Sequence, residues 1–319
     1  MRAAVCKEYG PPEVVTIEEM PSPGLQDGEV RVRVAAAGVN FPDVLLCAGE
    51  YQIKIPPPFV PGSEFAGAVI EGSMPPGTRV IGAGIVGAFA EEAVVAAAGV
   101  KLIPDSIDDR TAAAFGIAHR TAYHALQSVA QLQPGEELIV LGAGGGVGLA
   151  TVQLGVLMGA TVTAVASSPE KLEVARACGA KDTIDHRAVS DFRGSLKETL
   201  PKGADVVIDP VGGDLAEPAL RALRWGGRFV TVGYASGTIP RIPLNLVLLK
   251  GVEIRGFEFG GFAMRNTDDF HRNEDELFEL FATGRVVPYV GATFPLDQAA
   301  AALRHVADGK AIGKVVIDV

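Results

Sequence analysis

The stretch that decides the fold is LIVLGAGGGVGLATVQLGVLMGATVTAVASS, which runs from Leu138 to Ser168. It contains no Asp, Glu, Lys or Arg, so hydropathy alone would make it a candidate membrane span. Its glycines divide it into an apolar run, a helix-compatible stretch and a β-rich run at residues 161–165. Strand, glycine turn, helix and strand form a βαβ unit, whose parallel strands are buried on both faces. We therefore predict a buried parallel sheet here and no membrane span.

The composition narrows the class of protein. The 319 residues predict about two domains, and a net charge of −10 argues against nucleic acid as a partner. The three cysteines, Cys6, Cys47 and Cys178, are too few and too scattered for a disulfide framework or a cysteine-built zinc site. The first residues lack the apolar core of a signal peptide. The expected location is the cytoplasm.

The pattern along the chain predicts two kinds of architecture. The first hundred residues are β-rich, and the run at residues 29–34 alternates apolar and polar side chains as a half-buried strand does. A helix is predicted at about residues 109–131. From residue 134 short apolar strands alternate with helices. That alternation predicts an α/β fold with an open, doubly wound parallel sheet and helices on both faces.

The glycine-rich turn at residues 142–148 is a candidate phosphate loop. It does not fit G-x-G-x-x-G, but Ala143, Gly146 and Gly148 fit A-x-x-G-x-G. Glycines in such a turn let backbone N–H groups and a helix N-terminus approach a pyrophosphate. Between a strand and a helix of a βαβ unit the turn predicts dinucleotide binding. The alternative is a glycine turn with only a structural role.

The end of the second strand of this unit predicts the cofactor. NAD sites carry Asp or Glu there, whereas this chain has Ser167 and, at the start of the next helix, Lys171. His186 and Arg187 follow the third strand and could add positive charge or hydrogen bonds. Hydroxyl groups beside cations suit a 2′-phosphate, so we predict NADPH. In the alternative, Lys171 is an ordinary solvated lysine and the serines are helix caps.

Several stretches together resemble one protein family. The chain is similar to the zinc-independent quinone oxidoreductases of the medium-chain dehydrogenase/reductase superfamily. The matching stretches are GVNFPDV at residues 38–44, PGSEFAG at 61–67, the loop at 142–148, DVVID at 205–209 with VGG at 211–213, GGR at 226–228 and GKVVI at 313–317. The resemblance implies a GroES-like catalytic domain at residues 1–118 and 258–319, with a Rossmann NADPH-binding domain at 119–257 inserted between them.

Two positions predict that no metal is bound. Zinc-dependent relatives carry Cys and His as ligands where this chain has Asn40 and Ser63. An amide and a hydroxyl cannot replace the N/S ligand set of a zinc site. The four-cysteine lobe that holds structural zinc in those relatives is also missing. Without a Lewis acid, alcohol oxidation loses its usual activation, and hydride delivery to an electrophilic acceptor becomes the favoured chemistry.

The resemblance also implies roles for individual residues. It places Asn40 near the nicotinamide ribose or the acceptor and Thr121 near the carboxamide. Tyr51 would hydrogen-bond the acceptor oxygen or protonate an enolate, the alternative being a loop tyrosine packed on the neighbouring prolines. The backbone of Gly144, Gly145, Gly146 and Val147 would hold the pyrophosphate, and Val232, Gly233, Gly256 and Phe257 would line the nicotinamide side. We expect structural roles for His119 and His124, and no nucleophilic role for Cys47.

The predicted function is NADPH-dependent, metal-free reduction of quinones. The first alternative is reduction of enoyl-CoA or of α,β-unsaturated ketones and aldehydes, which uses the same hydride geometry. The non-enzyme alternative is a crystallin-like, RNA-associated or vesicle-associated binding protein, against which stand the acidic charge and the intact phosphate loop. The resemblance further implies a homodimer joined at the edge of the Rossmann sheet, and the apolar residues 244–254 are compatible with that.

Overall fold

A computed structural model describes all 319 residues, which form two compact units. The first unit comprises Met1–Ala118 and Val287–Val319, and the second comprises His119–Val286. The sequence places the return to the first domain at residue 258, whereas the structure keeps residues 258–286 with the second unit.

The first unit is built around an antiparallel sheet. Its elements are β1 (Arg2–Cys6), β2 (Val15–Glu19), β3 (Glu29–Val39), α1 (Phe41–Ala48), β4 (Glu64–Gly72), β5 (Arg79–Ala83), β6 (Glu92–Ala96), β7 (Lys101–Leu102), the start of α2 (Asp109–His124), β14 (Val290–Pro295), α10 (Ala299–Ala307) and β15 (Lys314–Asp318). Seven strands form one sheet in the order β14-β15-β3-β4-β5-β7, with β6 paired to β3, and β1 and β2 form a separate pair.

Both ends of the chain contribute to the core of the first unit. Along β3 the predicted alternation buries Val30, Val32 and Val34. Leu303 of α10 and Ile317 of β15 pack into the same hydrophobic cluster. The C-terminal strand pairs antiparallel with β3 and parallel with β14. The GroES-like fold of this unit therefore needs the C-terminal segment as well as the first 118 residues.

The second unit is a parallel sheet with helical connections. After the end of α2 come a π-helical stretch (Ala125–Ala130), β8 (Glu137–Leu141), α3 (Gly146–Leu157), β9 (Thr161–Ala166), α4 (Pro169–Ala177), β10 (Asp182–Asp185), α5 (Phe192–Thr199), β11 (Ala204–Asp209), α6 (Ala216–Ala222), β12 (Leu223–Thr231), α7 (Leu244–Lys250), β13 (Glu253–Gly256), α8 (Phe259–Arg265) and α9 (Thr267–Ala282). The strand order is β10-β9-β8-β11-β12-β13, and every pairing is parallel.

Helices cover both faces of this sheet. Side chains of α5, α6 and α7 pack in one cluster with Ile139 of β8. Leu138, the neighbouring residue on β8, packs against α3. Its side chain lies so close to Gly155 of that helix that an added Cβ there would be 2.6 Å from it. Successive residues of a strand face opposite sides. The prediction of a doubly wound α/β sheet of the Rossmann type is confirmed, and the apolar stretch at residues 138–168 is its β8-α3-β9 unit. No helix combines the length and apolar character needed to span a bilayer.

Aromatic packing explains why α8 and α9 remain with the second unit. Phe259, Phe262 and Phe270 surround the ring of His124, which is fully buried and stacks on Phe270 with ring centroids 5.1 Å apart. Asn273 Nδ2 donates to Nδ1 of His124, so Nε2 of the ring carries the proton. The spacing of these phenylalanines gave no sign of this cluster, since they contact a helix about 140 residues earlier in the chain.

Candidate functional site

The predicted phosphate loop joins β8 to α3. Gly142 has a φ of +62°, a conformation that favours glycine. A Cβ on Gly148 would lie 2.0 Å from the carbonyl oxygen of Gly142, so no other residue fits there. Gly145 is the N-cap of α3 and offers no side chain to its first-turn N–H groups. The loop therefore presents backbone amides and the positive end of a helix, which together suit a pyrophosphate.

The predicted 2′-phosphate residues lie together beside this loop. The ammonium of Lys171 donates to Ser167 Oγ at 3.4 Å, and Ser168 caps α4 by accepting from the Lys171 N–H. Burial and the nearby Arg187 guanidinium both lower the pKa of Lys171. The same two causes, in the same order, lower the pKa of His186. Like charges held this close favour an anionic ligand between them.

Gly144 makes room for Lys171. A Cβ on Gly144 would lie 2.5 Å from Cβ and 2.6 Å from Cγ of that lysine. The stem of Lys171 therefore crosses the phosphate loop at a glycine. The sequence predicts Gly144 and Lys171 as separate contacts of the cofactor, and the structure shows that the lysine stem lies against the glycine.

The residues predicted for the nicotinamide side follow the carboxyl ends of two neighbouring strands. Val232 comes directly after β12, and its N–H donates to the carbonyl of Asp209 at 2.8 Å. Gly256 ends β13, and the N–H of Phe257 donates to Thr231 O at 3.0 Å. The phosphate loop follows the carboxyl end of β8 on the same side of the sheet, because all strands of the sheet are parallel. Ligands of open α/β sheets bind at the carboxyl ends of the strands. Thr121 is half-buried on α2 in the same unit.

Asp209 has a part in this site that the sequence did not predict. Its Oδ1 accepts from the N–H groups of Val211 and Gly212 at 2.8 Å each, which holds the turn after β11. Burial raises the pKa of its carboxyl, and Oδ2 is buried without a partner. An acidic residue ending the apolar run DVVID is the signal that could have identified it.

In the first unit the predicted residue Asn40 lies in a buried polar cluster. Its side chain is 7% exposed; Nδ2 donates to Glu64 Oε1 at 2.8 Å, and Oδ1 accepts from Lys314 Nζ at 2.5 Å. Ser63 stands at the second position where zinc-dependent relatives have a ligand, and its Oγ lies 3.4 Å from Asn40 Nδ2. Asn40 is also the N-cap of α1, and its N–H donates to Asp43 Oδ2 at 2.7 Å.

Glu64 and Lys314 were not predicted as site residues. Both stand at the start of apolar strands, where a charged side chain indicates a buried partner. Sheet register brings them together, since Glu64 is opposite Gly38 and Val315 is opposite Val39 on β3. The signal was therefore present in the motifs PGSEFAG and GKVVI, but only the pairing of β4 and β15 with β3 joins the two.

Two further predicted positions lie in the first unit. Tyr51 is half-buried and packs against the hydrophobic core of that unit. Cys47 is fully buried beside Cys6, and burial raises the pKa of its thiol. A thiol with a raised pKa is a poor nucleophile, which agrees with the prediction that Cys47 is not reactive.

The donor set around Asn40 does not fit a zinc ion. Asn40 offers an amide oxygen that already accepts from the Lys314 ammonium, and Ser63 offers a neutral hydroxyl. A divalent cation there would be repelled by that ammonium. No group of three or more His, Cys, Asp and Glu side chains is placed to hold a metal ion.

Comparisons with known proteins cover both units. The family model described as "Alcohol dehydrogenase GroES-like domain" matches residues 26–105, and the one described as "Zinc-binding dehydrogenase" matches residues 146–279. Quinone oxidoreductase-like protein 2 of Bos taurus is 39% identical over 327 aligned positions, which cover 99% of this chain and 92% of that protein.

Two solved structures are similar over their whole length. The quinone oxidoreductase of Thermus thermophilus, described alone and in its complex with NADPH, is 33% identical, with a TM-score of 0.87 and 100% of both chains covered. The Escherichia coli quinone oxidoreductase complexed with NADPH is 27% identical, with a TM-score of 0.91 and the same coverage.

Proposed function

Because the chain belongs to the quinone oxidoreductase-like group of the medium-chain dehydrogenase/reductase superfamily, we propose that it reduces quinones with NADPH and without zinc. It is an oxidoreductase of that superfamily and binds NADPH. The observation that carries the proposal is the cluster of Lys171, Arg187, His186 and Ser167 beside an intact phosphate loop. This cluster suits the 2′-phosphate that distinguishes NADPH from NADH.

The second unit holds the cofactor in this proposal. The amides of residues 144–147 take the pyrophosphate, and Lys171 with Ser167 takes the 2′-phosphate. The backbone after β12 and β13, at Val232, Gly233, Gly256 and Phe257, lies along the nicotinamide, with Thr121 near its carboxamide. When bound, NADPH supplies a hydride to an electrophilic carbon or oxygen of the acceptor. The protein orients the two reactants and excludes water.

The first unit supplies Asn40 and Tyr51. Reduction of a quinone to a hydroquinone needs one hydride and one proton, and the phenol of Tyr51 is our candidate donor of that proton to the acceptor oxygen. Asn40 is our candidate contact to the nicotinamide ribose. Zinc has no part in the proposal, because an amide, a hydroxyl and an adjacent ammonium replace the ligands that zinc needs.

A panel of acceptors tests the function. Oxidation of NADPH and of NADH is followed with 1,2-quinones, 1,4-quinones, enones and enoyl-CoA esters. We expect turnover of quinones with NADPH preferred, unchanged after treatment with EDTA, and slowed at least tenfold in Tyr51→Phe. Turnover of none of these acceptors would overturn the proposal of a reductase, and a preference for enoyl-CoA would replace quinones as the substrate class.

We also propose that two copies join at the edge of the parallel sheet. Strand β13 lies at that edge and pairs only with β12. Large apolar side chains are exposed around it, namely Trp225, Leu244, Leu248, Leu249 and Ile254, with exposed fractions from 41% to 78%. An open strand edge beside an exposed apolar surface favours association with a second copy.

A further inference from the structure

A buried ion pair in the first unit takes no direct part in the proposed hydride transfer. The ammonium of Lys314 and the carboxylate of Glu64 lie 2.6 Å apart, and their side chains are 3% and 0% exposed. The second carboxylate oxygen accepts from the N–H of Ile117 at 2.7 Å. A Cβ on Gly38 or on Gly116 would lie 2.5 Å or 2.6 Å from this carboxylate. Two glycines therefore make the space in which the charge is buried.

Stability alone is a poor reason to bury this pair. Removing two charges from water costs several kcal/mol for each ion, and apolar pairs of similar volume are often equally stable or better. The ammonium nevertheless has a partner for each of its three protons, in Glu64 Oε1, Asn40 Oδ1 and, at 3.4 Å, the carbonyl of Val39. Both charged groups contact the side-chain amide of Asn40.

The two charges fix the orientation of that amide. A cation at one end and an anion at the other allow only the arrangement with Oδ1 toward Lys314 and Nδ2 toward Glu64. The flipped amide would place donor against donor and acceptor against acceptor. Nδ2 has further neighbours within the protein, in Ser63 Oγ at 3.4 Å and Gly38 O at 3.5 Å. What Asn40 can offer a ligand is thus a lone pair of Oδ1.

We propose that Lys314 and Glu64 are positioning residues, which hold Asn40 Oδ1 as a hydrogen-bond acceptor for a hydroxyl group of the cofactor's nicotinamide ribose. This rests on the proposed function, in which Asn40 contacts that ribose. The backbone of Asn40 is held separately, because its N–H is bound by Asp43. Loss of the ion pair therefore releases the amide while the start of α1 stays in place.

The test compares the wild type with Lys314→Met, Glu64→Gln and the double variant. Each single variant leaves one buried charge without its partner and should lower the melting temperature. The double variant removes both charges and should recover most of that loss. If the pair positions Asn40, the double variant still has kcat reduced about tenfold, while the NADPH dissociation constant, measured by nucleotide fluorescence, changes less than twofold. The phosphate contacts in the second unit account for that unchanged affinity.

A triple variant tests whether the loss of kcat in the double variant acts through Asn40. Adding Asn40→Ala to the double variant should reduce kcat by less than twofold, although Asn40→Ala alone reduces it about tenfold. A stable double variant with wild-type kcat would overturn the positioning role, as would a full additional tenfold loss on adding Asn40→Ala. Failure of the proposed function gives a different result, since the wild type itself would then bind no NADPH or reduce no acceptor.

A single variant and a control complete the experiment. If the double variant does not fold, Lys314→Met alone gives the same comparison of kcat with NADPH affinity, because methionine keeps the length of the side chain and removes the donor to Asn40 Oδ1. A folded Lys314→Met variant with wild-type kcat would then overturn the proposal. The control is Lys310→Met with Asp308→Asn, an exposed lysine–carboxylate pair in the same unit at 3.0 Å. It should leave kcat and the melting temperature unchanged.

Discussion

The stem of Lys171 passes directly over Gly144, where an added methyl group would lie 2.5 Å from the lysine Cβ. The contact joins the phosphate loop to the first turn of α4, because Lys171 is held there by Ser168. In the proposed assignment of Lys171 to the 2′-phosphate, cofactor selectivity depends on this glycine as well as on charged groups.

Gly144→Ala tests this contact. The new methyl group would displace Lys171, so we expect the KM for NADPH to rise about tenfold while the KM for NADH changes less than threefold. The matched control is Gly145→Ala, where the nearest atom to an added Cβ is 3.6 Å away, an ordinary contact. An equal rise in the KM of both nucleotides in Gly144→Ala would show that Lys171 is not the group disturbed.

Lys171→Ala tests the 2′-phosphate assignment itself. Loss of the ammonium should raise the KM for NADPH about tenfold or more, which is about 1.4 kcal/mol of binding free energy, and should leave the KM for NADH nearly unchanged. Steady-state kinetics with both nucleotides measure the two values. Lys197→Ala, at an exposed lysine of α5, controls for the loss of one positive charge. An equal rise for both nucleotides would contradict the assignment.

The sequence predicts the second unit well because its signals are local. A glycine turn between an apolar strand and a helix defines the βαβ unit, and Ser168 followed by Pro169 predicts the start of α4, which is confirmed. The absence of Asp or Glu after β9 predicts NADPH, which is also confirmed.

The polar cluster of the first unit could not be predicted in the same way. Glu64 and Lys314 are 250 residues apart, and only the pairing of β4 and β15 with opposite edges of β3 joins them at Asn40. The sequence identifies Asn40 and Ser63 because they stand where zinc-dependent relatives have zinc ligands. The contacts that replace a metal depend on tertiary structure, as does the packing of α8 and α9 around His124.

Asp43 should make stability depend on pH. Burial raises the pKa of its carboxyl to about 7, against the opposing hydrogen bond from the Asn40 N–H and the charge of Lys314. The folded state then binds this proton more tightly than the unfolded state does, so its contribution to stability is lost as pH rises from about 4 to about 7. Asp43→Asn removes this ionisation and keeps an acceptor oxygen for the cap.

The expected result is a difference between variant and wild type that changes with pH. From pH 5 to pH 7 the free energy of unfolding of Asp43→Asn, measured with urea, should rise relative to the wild type by up to about 1.4 kcal/mol per pH unit. Asp27→Asn, in an exposed turn, controls for the loss of one negative charge. A difference that is constant over this range would show that Asp43 does not titrate there.

Leu248→Glu tests the sheet-edge interface. Leu248 is 78% exposed on α7, and Trp225 lies close to the end of that helix, where a Cβ on Gly251 would come within 2.6 Å of the indole ring. A carboxylate in the middle of this apolar surface would have to be buried on association, which costs far more than the leucine contributes. We therefore expect a dimer of the wild type and a monomer of Leu248→Glu by light scattering at micromolar concentration. Leu102→Glu is the matched control, since Leu102 is 57% exposed on β7 of the first unit. A wild type that is monomeric, or a Leu248→Glu variant that remains dimeric, would contradict the interface, and kcat of the variant would show whether each copy works alone.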